Sequence, residues 1–151
     1  MVVTLYAQEI LNDLRSKSHY EVSAIPGAEA QYRVEAGTEK MDEVVRCINE
    51  GVRRLYGRLR RWLRQDIDQT TDNTSSLPDE WTFELVLSER RAIATAQPIS
   101  EVAHTFVVEY ALSKFYSDMA VQDYSNKHST LALDAAARLD ELLYTKMPPL
   151  V

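Results

Sequence analysis

The stretch Met41 to Arg64, MDEVVRCINEGVRRLYGRLRRWLR, constrains this chain more than any other. Met41, Val45, Ile48, Val52, Leu55, Leu59 and Trp62 recur at steps of four and three, the spacing of a helix that buries one narrow seam. Arg53, Arg54, Arg58, Arg60, Arg61 and Arg64 all fall off that seam, six positive charges in twelve residues with no acid among them. A helix this basic must face solvent, a partner's carboxylates or phosphates. Part of the asymmetry is local electrostatics. Thr38 suits an N-cap, Glu39, Asp42 and Glu43 suit the positive helix start, and the arginines suit its negative end. Gly51 and Gly57 each weaken the helix by about 1 kcal/mol relative to alanine, through close approach of another backbone or a mild bend.

The separation of charge extends to the whole chain. The net charge is −6 over 151 residues, and the segment 53–64 contributes +6, so the other 139 residues carry −12. Basic surface on one copy can therefore face acidic surface on the next, and a local nucleic-acid contact is also open to it. With 45% hydrophobic residues, only 4 Gly and 5 Pro, the composition suits one compact domain with a real core. No apolar run approaches the roughly 20 residues of a membrane span, and no signal peptide opens the chain, so synthesis in the cytoplasm is expected.

Around the central helix the order is mostly helical. Thr4 can cap a first helix with Ala7, Ile10, Leu11 and Leu14 inward, fading near Ser16 to Ser18. Residues 20–35 alternate on either side of Pro26-Gly27, as a short hairpin or an extended arm would. A polar, acidic loop is expected over 66–80; Asp66, Asp68, Asp72 and Asp79 lack the glycine and terminal glutamate of a calcium-binding EF-hand loop. Trp81, Phe83, Leu85 and Leu87 alternate with Thr82, Glu84, Val86 and Ser88 as a strand with one apolar face. Ser88 then caps a short helical piece, SERRAIATAQ, that Pro98 ends.

Two long helices follow, over 99–121 and roughly 124–146. The first carries a broad stripe of Val102, Phe106, Tyr110, Ser113 and Tyr116, widened by Val107, Leu112, Phe115 and Met119. The second uses Leu131, Ala135, Leu139, Leu142 and Leu143 as its seam. Met147, Pro148, Pro149, Leu150 and Val151 form an extended C-terminal tail, apolar enough to dock on a partner or pack back on the domain. The expected fold class is mainly α: a single helical-bundle domain over 1–146 with one long central helix, minor β content and the tail 147–151.

Chemistry-bearing motifs are absent. There is no P-loop, GxSxG, dinucleotide fingerprint or HExxH, so no catalytic, cofactor-binding or metal-binding residues are assigned and the chain reads as a non-enzyme. Cys47, the lone cysteine, reads as a small buried thiol; His104 reads as packed or hydrogen-bonded, and His128 as solvated near the start of the last helix. A basic recognition helix is the rival reading of 53–64, but Trp62 lies on the buried seam and no helix-turn-helix spacing is visible.

The long central helix, the helix pair 99–146 and the stretch EVAHTFVVEYALSKFYSD together resemble small head-to-tail connector (adaptor, neck) proteins of tailed phages and prophages. That resemblance implies a structural subunit of a virion. It would form a homo-oligomeric ring, a dodecamer being the expected size, that joins portal to tail or neck proteins around the DNA channel. The six arginines would line either the subunit contact or the channel, touching packaged DNA non-specifically, and the tail 147–151 would dock on a neighbour. The hairpin and the strand depart from a purely helical adaptor and leave room for another tail-completion protein.

Overall fold

A computed structural model describes residues 1–23, 41–64, 77–87 and 89–144, with the backbone alone at 23 and 89–96. In chain order the elements are strand β1 (Val2–Tyr6), helix α1 (Ala7–Ser23), helix α2 (Met41–Leu59), strand β2 (Glu80–Glu84), helix α3 (Glu89–Asp118) and helix α4 (Gln122–Tyr144). The protein is mainly helical with a small antiparallel sheet, as the sequence indicates. Among the described residues no helix is long and apolar enough to cross a membrane.

α2 forms for the reason its sequence gives. Val45, Ile48, Val52, Leu55 and Leu59 are buried, while Arg53, Arg54 and Arg58 stay outside. Gly51 sits against α3: a Cβ there would lie 3.3 Å from the Val107 carbonyl oxygen, so the glycine sets how closely the two helices approach. The helix stops at Leu59, short of the sequence expectation of Arg64. Arg60–Trp62 form a single 3-10 turn, and Leu63 leaves in extended conformation to bridge Leu85 beside the sheet. Pairing with that strand competes with helix continuation and wins.

The sheet joins the start of the chain to its middle. Val2–Tyr6 pair with Glu84–Glu80, which sets Val3 opposite Phe83 and Leu5 opposite Trp81 on the buried face. Such branched–aromatic cross-strand pairs are the stabilising unit of a two-stranded sheet. Thr4 therefore lies within β1 opposite Thr82 and caps no helix, a correction to the sequence reading. α1 begins only at Ala7 and continues through Tyr20 to Ser23, where a hairpin strand was expected. Val22 is buried in the core, which rewards the extra helical turn. The rest of the expected hairpin, residues 24–35, lies outside the described residues, as do the Thr38 cap, most of the polar loop, Ser88 and the tail Met147 to Val151.

Pro98 does not end a helix. α3 runs through it for 30 residues, with Ile99 and Ala103 fully buried just beyond it. α3 closes in a Schellman turn, in which Val121 N–H donates to the Tyr116 carbonyl at 2.8 Å and Ala120 N–H to Ser117 at 3.1 Å. Ala120 holds the left-handed position, φ 60°, that glycine usually takes.

α4 then folds back along α3. Its buried face is Ser125, His128, Ala132, Ala135, Ala136, Leu139 and Leu143. The expected seam is buried at Ala135, Leu139 and Leu143 and half-buried at Leu142, but fails at Leu131, which is 37% exposed. Small residues occupy the contact because the two helix backbones lie close, and Leu131 is turned one position away from it.

Candidate functional site

The outer face of α2 carries a second stripe beside the buried seam. Arg46, Asn49, Glu50, Arg53, Arg54, Gly57 and Arg58 recur at helical spacing and form one wall of a groove of about 900 Å³ between α2, α3 and α4. Phe106 and Tyr110 of α3 lie at its floor, and Leu133 of α4, 63% exposed, lies on its rim. Four arginines and one glutamate thus surround a partly apolar surface.

The polar groups of the groove are tied together. Tyr110 Oη donates to Glu50 Oε1 at 3.0 Å, and Lys114 Nζ stands 3.7 Å from the same oxygen. Burial raises the Tyr110 phenol, Glu50 adds to the effect, and Arg54 opposes it. Arg58 pairs with Asp140 at 3.3 Å and lies over the Phe106 ring at 5.9 Å. The Asp140 pair and the Phe106 ring orient Arg58, and because both members of the pair stay partly in solvent it contributes little to stability.

The six arginines singled out in the sequence are thereby divided. Arg53, Arg54 and Arg58 line the groove. Arg60 and Arg61 lie on the following 3-10 turn, where the Arg61 guanidinium stands 5.8 Å from the Tyr144 ring, and Arg64 pairs with Glu84 at 3.2 Å. Arg46 joins the groove instead. Sequence reasoning passed over it because it sits in the acidic half of α2 and pairs with Glu43 at 3.2 Å.

A second, shallower hollow of about 570 Å³ lies between β1, α1 and α3 and carries the opposite charge. Glu9, Asp13 and Glu101 line it with Tyr6 and His104. His104 is hydrogen-bonded as expected, with Nε2 2.6 Å from Asp13 Oδ2.

The third constellation is buried, and the sequence reading of it was wrong. His128 is 2% exposed, not solvated. Its Nδ1 meets Glu109 Oε2, and its Nε2 lies 2.6 Å from Glu21 Oε1. Both nitrogens face carboxylate oxygens, so each side of the ring has a hydrogen-bond partner. Lys17 reaches Glu109 at 2.5 Å and Lys127 reaches Glu21 at 3.1 Å, and the Tyr116 hydroxyl donates to Glu21 at 3.4 Å. Burial pushes the Glu109 carboxyl up, but the bonds from His128 and Lys17 outweigh it and the net shift is downward. Every charge has a partner from another helix, so the cluster is a lock between α1, α3 and α4. One signal was available: Glu109 interrupts the apolar run FVVEYAL, and a carboxylate there needs a buried counter-charge.

Glu43, Cys47 and Asp118 also converge, with one ligand-type atom each within 4.8 Å of one another. Cys47 is buried, as the sequence suggested, and its Sγ lies 3.9 Å from Asp118 Oδ2. Burial and then the Asp118 and Glu43 carboxylates push the thiol pKa well above its usual value, so the thiol is protonated at neutral pH.

Comparison with protein-family models, with curated proteins and with solved structures gave no match.

Proposed function

We propose that this protein is a structural subunit of a larger assembly, and that the arginine groove of α2, α3 and α4 is one of its assembly contacts. The observation that carries the reading is the groove itself: four arginines around a floor and rim that include Phe106 and the exposed Leu133. Arginines beside aromatic and exposed apolar side chains are a composition enriched in protein–protein contacts. A phosphate-binding surface gains from each added cation, and the Glu50 carboxylate in this wall works against that.

The particular assembly is a tailed-phage or prophage head-to-tail connector. Support for it is the resemblance in the long helix pair, which here is the α3–α4 hairpin, and the exposed basic stripe of the central helix. On this reading the protein resides in the virion neck as a ring, with portal and tail or neck proteins as neighbours. The rival is a helical DNA-binding protein that uses the same stripe.

Sedimentation of the wild type and of an Arg53→Glu/Arg54→Glu variant, with and without duplex DNA, separates the two. The assembly reading expects wild-type mass to grow with concentration, the variant to remain monomeric with unchanged helicity, and DNA to leave both distributions alone. A monomer that binds duplex DNA through these arginines would establish the rival.

A further inference from the structure

Among the described residues nothing crowds Gly57. It lies within α2, where glycine costs helix stability relative to alanine. A Cβ built there meets none of the described residues within 4 Å, whereas one at Gly51 would press on the α3 backbone. The bare backbone of Gly57 opens on the groove. It forms a notch between Arg53 and Arg54 on one side and Arg58 on the other, in the wall where an occupant would enter.

The opposite side of α3 identifies an occupant. Phe106, Tyr110 and Ser113 face the groove, while Ser100, Glu101, His104 and Thr105 face the acidic hollow. At about 100° per residue the centres of these two sets lie roughly 180° apart around the helix. One molecule therefore presents an arginine surface and, behind it, a surface of Glu9, Asp13 and Glu101 edged by the exposed Tyr6. A two-fold dimer through either surface would bring like charges together. A head-to-tail contact brings unlike charges together and leaves one free surface of each kind for the next copy.

We infer that the occupant of the groove is a second copy of this chain, which presents the acidic hollow between α1 and α3, around Glu9 and Glu101, to Arg53, Arg54 and Arg58 in a head-to-tail contact. The inference rests on the assembly reading above and names the partner of that same groove. Because the contact is heterologous, the products are a ring or an open series of oligomers, not a closed dimer.

A charge swap tests it. One variant carries Arg53→Glu/Arg54→Glu and the other Glu9→Arg/Glu101→Arg; Asp13 is left intact because it holds His104. Each variant alone should remain monomeric at concentrations where the wild type associates, with unchanged circular dichroism. Mixed in equal amounts they should recover wild-type mass, since every groove again meets a hollow of opposite sign. Gly57→Leu, which fills the notch from outside the core, should abolish association while melting as a folded protein. A mixture that stays monomeric overturns the inference, as does wild-type association by the Glu9→Arg/Glu101→Arg variant or by Gly57→Leu. If the Glu9→Arg/Glu101→Arg variant associates while the groove variant does not, the partner assignment fails and the assembly reading stands. A wild type that never associates overturns both.

Discussion

His128 Nε2 lies 2.6 Å from Glu21 Oε1, a bond between residues 107 apart in sequence that ties α4 to α1. With Glu109 on the other ring nitrogen, the imidazole separates two buried carboxylates. Removing it would leave those carboxylates facing each other, with Lys17 still on Glu109 and Lys127 and the Tyr116 hydroxyl still on Glu21. His128→Ala is therefore expected to cost about 3–5 kcal/mol, the usual penalty for breaking a buried ion pair from one side. Urea unfolding measures it directly. A loss below about 1 kcal/mol would show that the cluster is not a lock.

The same cluster sets a pH dependence. The folded Glu109 carboxyl titrates below its ordinary value of 4.5, so it contributes stability that is complete above that value and is lost as pH falls through the folded one. The urea midpoint should drop on acidification from about pH 6 to about pH 3, and Glu109→Gln should flatten that drop. Glu43 has the opposite sign. Its hydrogen bond with Asp118, then burial, raise it above 4.5, so its contribution is present at low pH and fades as pH rises through the raised value. Equal acid slopes in wild type and Glu109→Gln would contradict the assignment.

How much of this was legible follows from where each residue's partners lie. The seam of α2 is visible because one helix face decides it, and β2 because Trp81, Phe83 and Leu85 alternate within a few residues. β1 was missed because VVTLY has no local turn; its partner is Glu80–Glu84, far along the chain. His128 was misread for the same reason, since its carboxylates belong to α1 and α3. Pro98 misled because the local rule about proline is a tendency, and here the proline lies inside a longer helix. The arginine stripe was seen, but its division at Leu59 required knowing that Leu63 bridges Leu85.

The two α2 glycines should respond oppositely to alanine. At Gly57 the added methyl meets none of the described residues, so Gly57→Ala should stabilise the folded chain by about 1 kcal/mol through helix propensity. At Gly51 the same gain is opposed by a contact 3.3 Å from a buried backbone oxygen, and Gly51→Ala should fall below Gly57→Ala in thermal midpoint. Equal gains at both sites would show that α3 yields easily, and that Gly51 does not set the helix spacing.

Cys47 should be inert in the folded protein. The thiol is 2% exposed and is held protonated by burial and by the neighbouring Asp118 and Glu43 carboxylates. An aromatic disulfide reagent at neutral pH should modify it only as fast as the protein opens, and at once in urea. Rapid stoichiometric reaction without denaturant would contradict the buried site.

The most direct test of the assembly reading is the mass of the purified protein in solution at about 0.1 M and about 1 M salt, where the Debye length falls from about 10 Å to about 3 Å. Contact between the arginine groove and an acidic surface should give species heavier than the 17.3 kDa monomer at low salt, and these should dissociate at high salt. A strict monomer at both salt concentrations, across the accessible range of protein concentration, would contradict it.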